Sequence, residues 1–164
     1  LAHMNTLTYN PNTNLLYTTN AMVDGHRITT IDADTMSIGN TITIPERVFN
    51  LAYDKKTNQF ISIVPIDATM RRINYYNSQF QLIRSKDIDA QHDDYNNNGA
   101  FATDGKTIFA TLSTVVTVDK TGNVTKISSF PKNLEIEDID MRHNIMYAAV
   151  NSNHKVFIYS MLNY

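Results

Sequence analysis

Residues 7–19, "LTYNPNTNLLYTT", alternate apolar and polar positions, break on an Asn/Pro cluster and alternate again; residues 51–63, "LAYDKKTNQFISI", repeat the pattern. Strict alternation around a turn cluster is the mark of two half-buried strands joined as a hairpin. Its recurrence makes the hairpin one part of a repeat. Leu7-Thr8-Tyr9-Asn10 aligns with Leu51-Ala52-Tyr53-Asp54, then with Ala100-Phe101-Ala102-Thr103 and Ile139-Asp140-Met141-Arg142. Second strands follow with Leu16-Tyr17, Phe60-Ile61, Ile108-Phe109 and Met146-Tyr147 in matching places. Third strands run through Ile28–Asp32, Ile73–Asn77, Val115–Asp119 and Val156–Ser160. A fourth strand is expected at 41–44, 81–85 and 124–127, while the last unit ends at Tyr164 before supplying one.

A period of about 40 to 45 residues with four short strands per unit is that of a propeller blade, a small sheet that buries its faces only against its neighbours. The expected fold is therefore an all-β, β-propeller domain of about four blades, each a four-stranded antiparallel sheet. It is read as a single domain with blades at 1–45, 46–91, 92–131 and 132–164. An all-β sandwich is the rival, since evenly spaced strands also suit it, but the column-by-column similarity of the units favours the propeller. Four blades with a short last unit leave sheet edges to cover. A tight four-bladed ring, the loss of blades from a larger parent, and the pairing of two chains as a homodimer all answer that need.

Composition narrows function mainly by exclusion. A formal charge of −2 gives no bulk attraction to nucleic acid. There is no cysteine, which removes disulfides, thiolate metal sites and a cysteine nucleophile. No apolar run reaches the roughly 18 residues of a membrane span, and residues 1–20 lack the pattern of a signal peptide, so a secreted protein would have lost its signal. No P-loop, nucleophile elbow or dinucleotide fingerprint is present, and no cofactor is called for. "QHDDYNNN" at 91–98 holds His92, Asp93 and Asp94 without metal-loop spacing.

Chemistry is best sought where the first strand of each blade begins, because these strands line the central axis. Those positions are His3-Met4-Asn5-Thr6, Arg47–Asn50, Asn96–Gly99 and Glu135–Asp138. Amides, an arginine and carboxylates converging there suit a polyhydroxylated ligand through bidentate hydrogen bonds, or a cation held by Glu135, Glu137 and Asp138. The same groups also serve simply to solvate the channel mouth. Glu135 and Glu137 fall on one side of a strand and, with His3, form the acid/base pair for an alternative reading as a hydrolase or lyase acting on a carbohydrate or lactone. His3-Met4 also reads as a cloning remnant.

At "HMNTLTYNPNTNLLY" the chain resembles β-propeller domains of secreted and cell-surface proteins of Gram-positive bacteria, with YVTN/NHL-like repeats, in which a "HANDMTYN"-like opening precedes an Asn-rich turn. His3, Asn5, Thr8, Tyr9 and Asn10 agree, whereas Met4 and Thr6 depart. "GAFATDGKTIFAT" and "LEIEDIDM" are similar to later units of that group, and the pattern is distantly similar to helveticin-type bacteriocins, which adds a bacteriocin-like protein as a further alternative function. The resemblance implies a secreted or surface-attached bacterial module and brings no catalytic mechanism with it; the leading expectation is a noncatalytic module that binds a cell-wall polysaccharide or a surface protein at the axial mouth. It carries over His3, Asn5, Asn98, Glu135 and Glu137 as ligand-binding candidates, to which the channel-mouth reading adds Arg47.

Overall fold

The computed structural model describes residues 4, 6–19, 25–90, 99–103, 106–111, 113–131, 133–143, 145–152 and 155–162. Its regular elements are strands. Blade 1 contains β1 (Thr6–Asn10), β2 (Leu15–Thr19), β3 (Arg27–Asp32) and β4 (Ile38–Thr43). Blade 2 contains β5 (Ala52–Asp54), β6 (Gln59–Pro65), β7 (Met70–Tyr76) and β8 (Leu82–Asp89). Blade 3 contains β9 (Gly99–Thr103), β10 (Lys106–Ala110), β11 (Thr114–Val118) and β12 (Val124–Ser129), and blade 4 contains β13 (Glu135–Arg142), β14 (Ile145–Ser152) and β15 (Lys155–Leu162). Each blade is an antiparallel meander in sequence order, four-stranded in the first three blades and three-stranded in the last.

The same local chemistry makes the same turn in successive blades. At the end of the third strand an Asp or Asn accepts backbone N–H groups of the turn that follows: Asp32 from Asp34 and Thr35, Asn77 from Gln79 and Gln81, Asp119 from Thr121 and Asn123. Each turn then needs one left-handed residue, supplied by Met36, Phe80 and Gly122 at φ 58°, 59° and 87°. The inner hairpins use Asn14 and Asn58 in that role, at 55° and 54°. Three donors hold the carboxylate of Asp119 down at a pKa of about 2, the Thr121 hydroxyl first among them. Gly122→Ala puts a Cβ at a φ that L-residues rarely adopt. It is expected to lower stability by about 1 kcal/mol, read as a shift in the urea midpoint.

Between blades the sheets bury side chains face to face. Tyr17, Ile28 and Leu15 of blade 1 meet Tyr53, Phe60 and Tyr76 of blade 2; Ile61, Ile63 and Ile73 of blade 2 meet Phe109, Val116 and Val118 of blade 3; Ile108, Ala110 and Val115 of blade 3 meet Ile136, Met146 and Val150 of blade 4. Three interblade cores thus hold four blades in a row. The inner strands β1, β5, β9 and β13 stand side by side in that order, and among the described residues no comparable packing joins β13 to β1. Among the described residues no core like the three internal ones joins blade 4 to blade 1, so the arc is open there.

One register departs from the sequence alignment. Ile108-Phe109 aligns with Phe60-Ile61 by pattern, yet Phe60 pairs with Tyr76 whereas Thr107, not Ile108, pairs with Val118, the residue in the Tyr76 column. A one-residue slip exchanges the two faces of a strand. Phe109 consequently packs on blade 2 and Ile108 on blade 4. The cause is the inner hairpin of blade 3, which joins Thr103 to Lys106 with fewer residues than the turns of blades 1 and 2.

Candidate functional site

All four inner strands point the same way, so their first residues, Thr6, Ala52, Gly99 and Glu135, mark one mouth of the arc. The connection from β4 to β5 is fixed there by hydrogen bonds from neighbouring strands. Thr6 Oγ1 donates to the Leu51 carbonyl at 3.3 Å, Thr19 Oγ1 to the Phe49 carbonyl at 3.1 Å, and the Ile63 N–H to Asn50 Oδ1 at 3.0 Å. Val48 N–H donates to the Gly25 carbonyl at 2.6 Å. This clamps Arg47, whose stem crosses Gly25 so closely that a Cβ on the glycine would lie 2.5 Å from Arg47 Cγ. The guanidinium carbon sits 4.6 Å from the centre of the Phe49 ring, and the side chain is exposed.

Across the arc, β13 carries the acids. Glu135 lies opposite Asn151 and is exposed; Ile136 pairs with Val150, then Asp138 with Ala149. Glu137 is the extra residue of a β-bulge, exposed and skipped by the ladder. The bulge has a structural reason: it places Ile136 and Ile139, three residues apart, together in the core against blade 3. It also turns Asp138 and Asp140 to the opposite face, toward the gap. Of the residues singled out in the sequence, Arg47, in the β4–β5 connection against Gly25, and Glu135 and Glu137, on β13, are exposed at the same end of the arc, and among the described residues no ion pair joins the arginine to the two acids. His3, Asn5 and Asn98 lie outside the described residues, as do His92, Asp93 and Asp94. Among the described residues no three His, Asp or Glu side chains gather in a way that could hold a metal ion.

In the gap lies a cleft of about 390 Å³, walled by Leu7, Tyr9 and Leu16 of blade 1, Tyr53 of blade 2, and Asp138, Ile139 and Asp140 of β13. Tyr9 donates its hydroxyl to Asn14 Oδ1 at 2.9 Å, and Tyr53 repeats this bond to Asn58 Oδ1 at 2.8 Å. Asp138 is half-buried, and loss of hydration pushes its carboxyl up to a pKa of about 7. The Ile139 N–H, 2.9 Å from Oδ1, opposes that shift, and the charge of Asp140 adds to it. Simple alternation selects Glu135 and Glu137 as the notable pair of acids. The perturbed group is the one beside them, because the bulge resets the alternation.

No protein-family model matches the sequence, and no curated protein matches it. Solved structures do resemble it in shape. Hydrazine synthase of Kuenenia stuttgartiensis superposes with a TM-score of 0.61 at 13% identity, over 96% of this chain and 45% of that one. The WD40 repeats of RRP9 superpose at 0.60 and 11% identity, over 97% and 51%. The computationally designed Ika4 protein gives 0.55 at 14% identity, over 96% and 90%. The chain thus spans about half of the two longer structures and nine-tenths of the designed one. WD40 repeats are propeller blades, and with open-ended four-stranded antiparallel sheets the chain has the fold of a partial β-propeller.

Proposed function

We propose that this chain is a noncatalytic recognition module of a secreted or cell-surface bacterial protein, engaging a surface protein or cell-wall polysaccharide at the mouth where its inner strands begin. The observation that carries the reading is the contrast at that mouth. The blade bodies are packed, while Arg47, Glu135 and Glu137 are exposed on clamped backbone from different blades. Charged groups held on rigid elements suit specific recognition at little ordering cost. The bacterial surface setting rests on the sequence resemblance. With purified peptidoglycan and a displayed peptide library as probes, Glu137→Ala, Asn98→Ala and Arg47→Glu are each expected to weaken capture about tenfold without moving the melting temperature. Unchanged capture in all three removes the mouth as the site.

A second reading has one observation behind it. An acid titrating near neutrality beside a second carboxylate is equipped as a proton donor, and Asp138 with Asp140 fits that description. A hydrolase of this kind would turn over glycans or lactones in a manner abolished by Asp138→Asn. Absence of turnover in the wild-type chain on either side of neutrality ends this reading.

A further inference from the structure

Cross-strand rows of blades 1 and 2 match residue by residue. In blade 2 the face toward blade 1 is the row Tyr53, Phe60, Tyr76 and Leu82; in blade 1 the equivalent row is Tyr9, Leu16, Ile31 and Ile38. In the blade 2 row Tyr53, Phe60 and Tyr76 are covered, at 7%, 0% and 0% exposed, whereas Leu82 at its outer end is 42% exposed. In blade 1 the contrast falls on the inner strands: Tyr9, the counterpart of Tyr53, is 47% exposed and Leu16, the counterpart of Phe60, is half-buried, while Ile31 is buried and Ile38, like Leu82, is exposed at the outer end. The repeated hydroxyl bond to Asn14 and Asn58 confirms the equivalence. It also shows what differs, since Tyr53 receives a further bond from Asn12 Nδ2 of the preceding blade, at 2.7 Å.

The other end of the arc carries the complementary face. On blade 1 the face toward blade 2 has the row Thr8, Tyr17 and Thr30, and Tyr17 packs on Phe60 with ring centres 4.7 Å apart. On blade 4 the corresponding row is Asp140, Tyr147 and Ser160, flanked by Asp138, Ala149 and Ile158, the last 68% exposed. This face looks away from blade 3 and onto the cleft. The arc therefore ends in two surfaces built on the plan of its internal junctions, one of each kind. Two copies placed end to end supply about the length of chain found in the RRP9 structure.

We infer that two copies of this chain close a single ring, blade 4 of each packing on blade 1 of the other. The twofold axis coincides with the ring axis, so both junctions are equivalent and the assembly closes at two. At each junction Tyr147 takes the place that Tyr17 has inside the chain, and Leu16 of the other copy takes the place of Phe60. The two arcs then remove from water Tyr9 and the exposed part of Leu16 on one copy and Tyr147 and Ile158 on the other, with Asp138 and Asp140 at the inner end of the junction.

Light scattering from micromolar to submillimolar chain is expected to give twice the monomer mass of 18.6 kDa. Tyr9→Glu and Ile158→Glu lie outside the three internal cores, and each is expected to give a monomer with an unchanged circular dichroism spectrum. Because the chain has no cysteine, Leu16→Cys and Tyr147→Cys provide a second test. Sheets pack about 10 Å apart, within reach of a short bismaleimide, so an equimolar mixture of the two single variants forms a cross-linked dimer and neither variant does so alone. A monomer throughout, an assembly of any other size, or a cross-link confined to one chain in the double Leu16→Cys/Tyr147→Cys variant overturns the inference.

Discussion

Phe60→Ala is expected to lower the unfolding free energy by about 3–5 kcal/mol, a large share of the roughly 5–15 kcal/mol that holds a domain of this size together. Phe60 is fully buried at the junction of blades 1 and 2. Its ring centre lies 4.3 Å from Phe80, 4.7 Å from Tyr17 and 5.0 Å from Tyr53. Removing the ring leaves a cavity bounded by aromatics that cannot collapse into it without leaving their own contacts. Phe80 adds to the cost because it is a left-handed, non-glycine residue, held in that conformation by the packing around it. Urea denaturation measures the loss. Leu16→Ala, at the same place in blade 1 but on the open face, is expected to cost about 1 kcal/mol in chain dilute enough to be monomeric, because the side chain is only half-buried there. The gap between the two values measures what a covering blade contributes, and equal costs would mean that the face of blade 1 is already packed.

The repeat, the strand order and the turn chemistry are legible in the sequence because each rests on a local signal. Period-2 alternation gives the strands, and Asn10, Asp54, Asp32, Asn77 and Asp119 at their ends give turns that their own side chains cap. What alternation cannot show is where the count of residues changes. The shortened hairpin of blade 3 moved Phe109 to the opposite face, and the bulge at Glu137 did the same for Asp138. Both are single-residue effects on pairing, decided by which arrangement puts Ile136 and Ile139, or Phe109 and Val116, into an interblade core. The candidate site is affected more than the fold. A four-residue error in a strand end leaves a blade intact, whereas one residue of slip decides whether an acid faces water or a cleft.

Asp138 turns that slip into a measurable pH dependence. Its pKa rises on folding from an ordinary 3.8 to about 7, chiefly because the charged form loses hydration. Below pH 3.8 the carboxyl is protonated in both the folded and unfolded chain and costs nothing. As pH rises from there toward 7 the unfolded chain gives up the proton while the folded chain keeps it, so the folded state binds more protons and stability falls. Above about 7 the folded chain carries the charge in its half-buried site and the loss stops growing. Asp138→Asn keeps an oxygen to accept the Ile139 N–H but has no charge to bury. In chain dilute enough to be monomeric it is therefore expected to match the wild type near pH 4 and to exceed its stability at pH 8 by about 1–3 kcal/mol, less than the full shift implies because in the single chain the site is open to solvent on one side. Asp140→Asn removes only the lesser cause, so it should lower the Asp138 pKa while leaving most of the pH dependence in place. Urea midpoints at pH 4, 6 and 8 for the three chains decide the matter: a wild-type profile that Asp138→Asn fails to flatten would mean that the carboxyl is hydrated, and that the bulge at Glu137 does not turn it into the cleft.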